Sequence, residues 1–213
     1  PQTAVREIAE ETGLTVTLGA PLGVVEYSLN GGRGKVVHYW AAEVTADAHA
    51  SSSFSPNQEI ADVEWLTLGK ARKALSYERD RDILDRFANL AEAGNLRTFA
   101  IIAVRHGKAV PPGSWDGPDS TRPLLQKGLD QAATIAPSIA AYGPSKLISS
   151  SAARCAATLE PLASLTGLAV SATEAISQDA YGSGTAQVGK VVRKRLRKKA
   201  TAVLCSHGPV LPE

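Results

Sequence analysis

The chain has 213 residues, 44% of them hydrophobic, with 23 Lys and Arg against 21 Asp and Glu. That length allows one large domain or two small ones with a real core, and a net charge of +2 does not announce nucleic acid as a partner. No apolar run approaches the ~20 residues of a membrane span and no signal-peptide pattern precedes the first element, so a soluble, cytoplasmic protein is expected.

The chain opens on a helix. Ala4, Val5, Ile8 and Ala9 form an apolar stripe, Glu7, Glu10 and Glu11 share the opposite face at i, i+3 and i+4, and Gly13 suits a helix-closing position. Three carboxylates this close repel unless a cation joins them, and hard oxygen donors suit Mg²⁺ or Mn²⁺. The plainer alternative is a solvated acidic turn. Arg6-Glu7-Ile8-x-Glu10-Glu11-x-Gly13-Leu14 resembles the latter part of the Nudix box, the metal-binding helix of Nudix hydrolases. The resemblance implies that Glu7, Glu10 and Glu11 bind the cation and that Arg6 orients a helix carboxylate. It also places the pattern's earlier glycine and first glutamate before residue 1, so an amino-terminally incomplete site is expected.

Val24–Leu29 and Val36–Ala42 flank the turn-rich Asn30-Gly31-Gly32-Arg33-Gly34, which predicts a hairpin. Thr45 to Gln58 is expected as a loop, and His38 and His49 carry no assigned role. Glu59–Leu66 reads as a strand similar to the late Nudix strand that brings one more carboxylate toward the metal, which makes Glu59 the candidate. From Gly69 the pattern turns helical, with Ile83, Leu84, Phe87 and Leu90 set to pack on a sheet. A domain boundary is placed after Gly94.

Phe99–Val104 is an apolar run broken by Arg105-His106-Gly107, the pattern of a buried strand whose last residues emerge at the carboxyl edge of a parallel sheet. Ala202–Cys205 followed by Ser206-His207-Gly208 repeats it, and Lys146–Ser150 leads into Arg154 and Cys155 near a helix start. Two arginines and two histidines thus reach one rim. A phosphoryl group in flight spreads charge over its oxygens and wants fixed cations, while a histidine with one ring nitrogen held can attack with the other. Cys155 and Cys205 read as reduced core thiols, with pairing between them left open.

The series Arg105-His106-Gly107, Arg122-Pro123-Leu124 with Gly128 and Gln131-Ala132, Ser149-Ser150 with Arg154 and Thr158, and Ser206-His207-Gly208 resembles the histidine phosphatase superfamily. It implies catalytic roles for His106, Arg105, Arg154 and His207, with Arg122 and Lys108 binding substrate phosphate. Lys108 to Thr121, with three prolines, is a lid or collar. Where such proteins carry a general acid this chain has Gln178, with Glu174 and Asp179 nearby, which tilts the substrate toward phosphoanhydrides. The basic window Val191–Lys199 lacks interleaved aromatics and reads as a solvated amphipathic helix.

The expected architecture is therefore a partial α+β Nudix fold over 1–94. An α/β three-layer histidine phosphatase domain with a mostly parallel sheet follows over 95–213. The combination is similar to MutT-related two-domain bacterial enzymes, which implies hydrolysis of 8-oxo-(d)GTP and diadenosine polyphosphates. Mg²⁺ or Mn²⁺ is expected at the Nudix helix and no cofactor in the phosphatase domain. The expected partners are nucleoside polyphosphates, with no nucleic acid, no membrane, and self-association left open. A phosphoprotein phosphatase and a non-catalytic nucleotide-binding module are the rival readings.

Overall fold

The computed structural model describes residues 1–28, 32–52, 54–56 and 58–211. The chain divides into two compact units, Thr3–Thr98 and Phe99–Glu213.

The first unit begins with α1 (Gln2–Thr12), closed by Gly13 at φ +69°, the left-handed position that glycine adopts without strain. Strands β1 (Thr17–Ser28) and β2 (Gly34–Glu43) form an antiparallel pair with Val24 opposite His38, as expected of a hairpin; Leu29, Asn30 and Gly31 of its connection lie outside the described residues. The register slips on either side of Pro21, which has no N–H to give to the ladder. Helices α2 (Ala46–Ala50), α3 (Leu68–Ala74) and α4 (Glu78–Glu92) follow. Ile83 is buried with Leu22 and Ala41, and Phe87 and Leu90 pack around them beside Val25 and Tyr39, so the helical stripe lands on the sheet as its spacing predicts.

Two segments of this unit differ from the sequence expectation. The loop from Thr45 contains α2, because the Thr45 hydroxyl accepts from the Ala48 N–H at 3.1 Å and caps a short alanine-rich turn. Glu59–Leu66 forms no strand: the unit's sheet has only β1 and β2 among the described residues. Ile60, Val63 and Leu66 are the half-buried positions there, a spacing of three that no strand face can use.

The second unit is a four-stranded parallel sheet of β3 (Ile101–Arg105), β4 (Lys146–Ser150), β5 (Val170–Thr173) and β6 (Ala202–Ser206), in the order β3-β6-β4-β5. Successive side chains alternate between its faces. Ile102, Val104, Leu147, Val203 and Cys205 meet α5 (Gln126–Ala140) and α6 (Ala153–Thr166), while Ile101, Ile148, Ala202 and Leu204 meet the valines of α8 (Val188–Lys198), which follows the short α7 (Gln178–Gly182). The three-layer arrangement follows from that alternation, and the basic side of α8 is left facing outward. β3, read as buried from its apolar run, is an edge strand with only Val104 fully covered; β6 and most of β4 are the buried strands.

Helix α5 starts four residues after Arg122. Pro123 to Leu125 instead pair with the segment after β3: the Val110 N–H donates to the Pro123 carbonyl at 3.0 Å and the Leu125 N–H to the Lys108 carbonyl at 2.8 Å. Among the described residues no helix is long and apolar enough to cross a membrane.

Candidate active site

Register brings the histidines together. Arg105 pairs with Ser206, and the His106 N–H extends the ladder by donating to the Ser206 carbonyl at 3.1 Å, so the residues after β3 and β6 leave the sheet side by side. The His106 and His207 rings meet edge to face, with centroids 5.3 Å apart. Arg154, in the first turn of α6, reaches both: its Nε lies 3.3 Å from His106 Nε2 and its terminal nitrogen 3.2 Å from His207 Nδ1. The Arg154 side chain is only 1% exposed and His207 is fully buried.

Each ring is held in one tautomer by its second nitrogen. His106 Nδ1–H donates to the Gly107 carbonyl at 2.8 Å, which leaves Nε2 unprotonated and accepting from Arg154 Nε. Burial lowers the His106 pKa from its ordinary value and the Arg154 charge adds to this, against the opposing Gly107 hydrogen bond and Cys155, so the neutral imidazole is favoured. His207 receives Arg154 at Nδ1 and so donates from Nε2 to Ser150 Oγ at 2.9 Å. Cys155 Sγ sits 3.6 Å from the same Nε2. Both cysteines are buried free thiols, and the contact with Cys155, together with burial, pushes the Cys205 pKa upward.

The loop after β3 is fixed by Thr158, whose hydroxyl accepts from the Gly107 N–H at 3.0 Å while donating to the Arg154 carbonyl at 2.7 Å. Gly107 and Gly128 let two backbones pass in contact: a Cβ on Gly107 would sit 2.5 Å from the Gly128 carbonyl oxygen.

His106, Gly107 and Thr158 border a cavity of about 900 Å³, while the buried Arg154 and His207 are not among its walls. Arg105, His106, Lys108, Arg122, Gln131, Gln178 and Thr158 supply its polar lining and Pro111, Pro112, Ile135 and Pro209 part of its apolar wall. Gln178 holds the place of the expected acid, whereas Glu174 and Asp179 are outside the walls; hydrogen bonds from Ser151 and Ser177 hold the exposed Glu174 carboxyl below its ordinary value.

Arg122 borders the cavity but its guanidinium is largely committed, to Asp119 Oδ1 at 2.9 Å and to the Val110 carbonyl at 2.6 Å. Asp119 also meets Arg154, through its backbone oxygen at 2.6 Å and Oδ2 at 2.8 Å. Sequence reading gave Asp119, Ser150 and Thr158 no role of their own, although the i, i+3 spacing of Asp119 and Arg122 was a signal for an ion pair.

In the first unit Arg6 donates to Glu10 Oε2 at 2.5 Å and to Glu7, the carboxylate-orienting contact the sequence implied. Glu11 is half-buried on the same helix, and Glu59 lies in the irregular segment rather than on a strand. Among the described residues no three His, Cys, Asp or Glu side chains are grouped to hold a metal ion. Two of the three helix carboxylates, Glu7 and Glu10, are turned onto Arg6, so α1 as it stands does not gather Glu7, Glu10 and Glu11 at one point for a Mg²⁺ or Mn²⁺ ion.

Comparison with known proteins agrees with this division. The NUDIX domain model matches residues 1–87, a family whose members generally use divalent metals such as Mg²⁺, and the histidine phosphatase superfamily (branch 1) model matches residues 101–204. An 8-oxo-(d)GTP phosphatase of Mycolicibacterium smegmatis is 35% identical over 216 residues; the alignment covers all of this chain and 63% of that protein, so the chain spans less than two thirds of its relative. A phosphohistidine phosphatase SixA from Agrobacterium tumefaciens overlaps at a TM-score of 0.42 with 23% identity, over 52% of this chain and 70% of that one. A SixA complexed with tungstate overlaps at 0.43 with 21% identity, over the same shares. Residues 1–87 thus match the NUDIX domain model and residues 101–204 that of branch 1 of the histidine phosphatase superfamily, two domain types in succession on one chain.

Proposed function

We propose that this chain hydrolyses nucleotide phosphoanhydrides, with His106 as the nucleophile toward a terminal phosphoryl group. The observation that carries the reading is the wiring of one imidazole: Nδ1 is pinned to the Gly107 carbonyl and Nε2 lies 3.3 Å from a buried guanidinium. The Nε2 lone pair attacks phosphorus as the bond to the leaving oxygen breaks and its electron pair departs with that oxygen. Arg105 and Lys108 bring cations to the cavity wall, and Arg154, held against His106 and His207, stabilises the charge that develops from behind the attacking ring. Water then cleaves the phosphorus–nitrogen bond, returning the pair to Nε2 and releasing phosphate.

The substrate class follows from the wall at Gln178. No carboxyl group lines the cavity among the described residues, so the leaving group has to depart without a proton donated by one. A nucleoside phosphate does so readily, its pKa being about 6, whereas an alkoxide does not. The relative's activity makes 8-oxo-dGTP the first substrate to test, and diadenosine polyphosphates share the same anhydride chemistry.

The test is product analysis over 8-oxo-dGTP, GTP, the corresponding diphosphates, diadenosine tetraphosphate and a phosphohistidine peptide, comparing the parent with His106→Ala and Glu10→Gln. The expected result is nucleotide turnover that His106→Ala abolishes and Glu10→Gln leaves in place. Turnover confined to the peptide, or nucleotide turnover surviving in His106→Ala, refutes the reading.

A further inference from the structure

Arg154 has four of its five N–H groups engaged, and they divide between two edges of the guanidinium. The edge formed by Nε and one terminal nitrogen faces the two imidazoles, at 3.3 Å to His106 Nε2 and 3.2 Å to His207 Nδ1. The outer edge, formed by the two terminal nitrogens, faces Asp119, at 2.6 Å to its backbone oxygen and 2.8 Å to Oδ2. A planar fork has no other edge to offer, so whatever occupies the outer edge decides where the inner one points.

We propose that Asp119 is a positioning residue for phosphoryl transfer, its carboxylate clamping the outer edge of Arg154 so that the inner edge is aimed at the point where His106 attacks. The role rests on the phosphohistidine reading above and names the part of the site that orients its buried cation.

The surroundings suit it to that role. Arg154 is 1% exposed and Arg122 is 8% exposed, and two buried cations near one another are costly unless an anion lies between them. Asp119 is that anion, with Oδ1 on Arg122 and Oδ2 on Arg154. Burial by itself would raise its pKa, but the two guanidiniums more than offset this and hold it below the usual carboxylate value. The collar that presents Asp119 is itself braced. Thr121 Oγ1 receives the Trp115 indole N–H at 3.2 Å and donates to the Pro118 carbonyl at 2.8 Å, and Asp119 opens the 3₁₀ turn Asp119–Thr121 between them. Asp119 is thus set by its own turn and sets Arg154 across 35 residues of sequence.

The experiment compares Asp119→Asn and Asp119→Glu with the parent in two measurements. One is steady-state kinetics on the best nucleotide substrate, the other calorimetric titration with orthovanadate, which reads the anion pocket whether or not nucleotides are the substrate. An amide cannot accept from both guanidiniums, so Asp119→Asn is expected to lose at least tenfold in kcat. Its KM and orthovanadate affinity should stay equal or tighten, because the negative charge that neutralises Arg154 and Arg122 has been removed. Asp119→Glu, which keeps the charge, is expected to restore most of the kcat. A rise in kcat/KM on Asp119→Asn would make Asp119 a plug competing with substrate. A fall in anion affinity and melting temperature with unchanged kcat would make it a brace for the collar alone. Either overturns the proposal. Should Asp119→Asn fail to fold, Asp119→Glu against Asp119→Gln asks the same question at equal side-chain length. If His106→Ala remained active the phosphohistidine reading would fail first, and the orthovanadate arm would still report on Asp119.

Discussion

Replacing Arg154 by lysine keeps the charge and removes the fork. The guanidinium spans His106, His207, Asp119 Oδ2 and the Asp119 carbonyl at 3.3, 3.2, 2.8 and 2.6 Å. An ammonium has three donors radiating from one atom, and it cannot reach the imidazoles on one side and the carboxylate on the other at once. Hydrogen bonds to charged groups are worth about 1.5–3 kcal/mol each, and at 1% exposure solvent screens little of that. Losing one donor to a developing oxyanion costs about 10²–10³ in kcat, or about 2.7–4 kcal/mol. Arg154→Lys should therefore lose 10²–10³ in kcat in a phosphate-release assay at saturating substrate. Circular dichroism on the same preparation should show a folded protein with a lowered melting temperature. A folded variant within threefold of the parent kcat would mean that Arg154 does not act on the transition state, and the convergence of the quartet would lose its functional meaning.

The pH profile of kcat/KM should have its acidic limb below 6.5. The His106 pKa is lowered by burial, so the attacking neutral form persists further into acid and activity is lost as pH falls through that lowered value; a limb above 6.5 would contradict it. Thr158→Val should cost about 1–3 kcal/mol in thermal or urea unfolding, because it strands the buried Gly107 N–H that now donates to Thr158 at 3.0 Å, and kcat should fall with it as the His106 loop loosens. A Thr158→Val variant with parental stability would show that another acceptor is at hand. Phosphate release from p-nitrophenyl phosphate should be unchanged by EDTA, since the cations around His106 are Arg105, Lys108 and Arg154; a loss restored by Mg²⁺ would place a metal in the step.

What could be read from the sequence was local. His106 and His207 each follow an apolar strand, and a polar residue after such a run has to surface at the sheet's carboxyl edge whatever the rest of the chain does. Arg154 follows β4 by four residues and opens a helix, so it too is bound to that rim. Asp119 was not legible in the same way. Its role needs the collar to fold back on itself and a turn residue to meet a helix 35 residues further on, which no periodicity encodes. The strand reading of Glu59–Leu66 failed for a related reason: a short run of apolar and polar residues fits a spacing of two or three about equally well, and the half-buried Ile60, Val63 and Leu66 follow three.

The order of the strands is the step that turns four polar termini into one site. β6 lies between β3 and β4, so the residue after β6 has a neighbour on each side. His207 accordingly meets His106 from β3 and Ser150 at the end of β4, and Arg154, entering just after β4, can lie across both imidazoles. Had β4 stood in the middle, Ser150 would have been set beside His106 and His207 would have been a strand further away. The same residues would then have reached the same rim without sharing a guanidinium. The chain's motifs specify which side chains surface; the crossover that inserts β6 between the first two strands of this unit specifies that they meet.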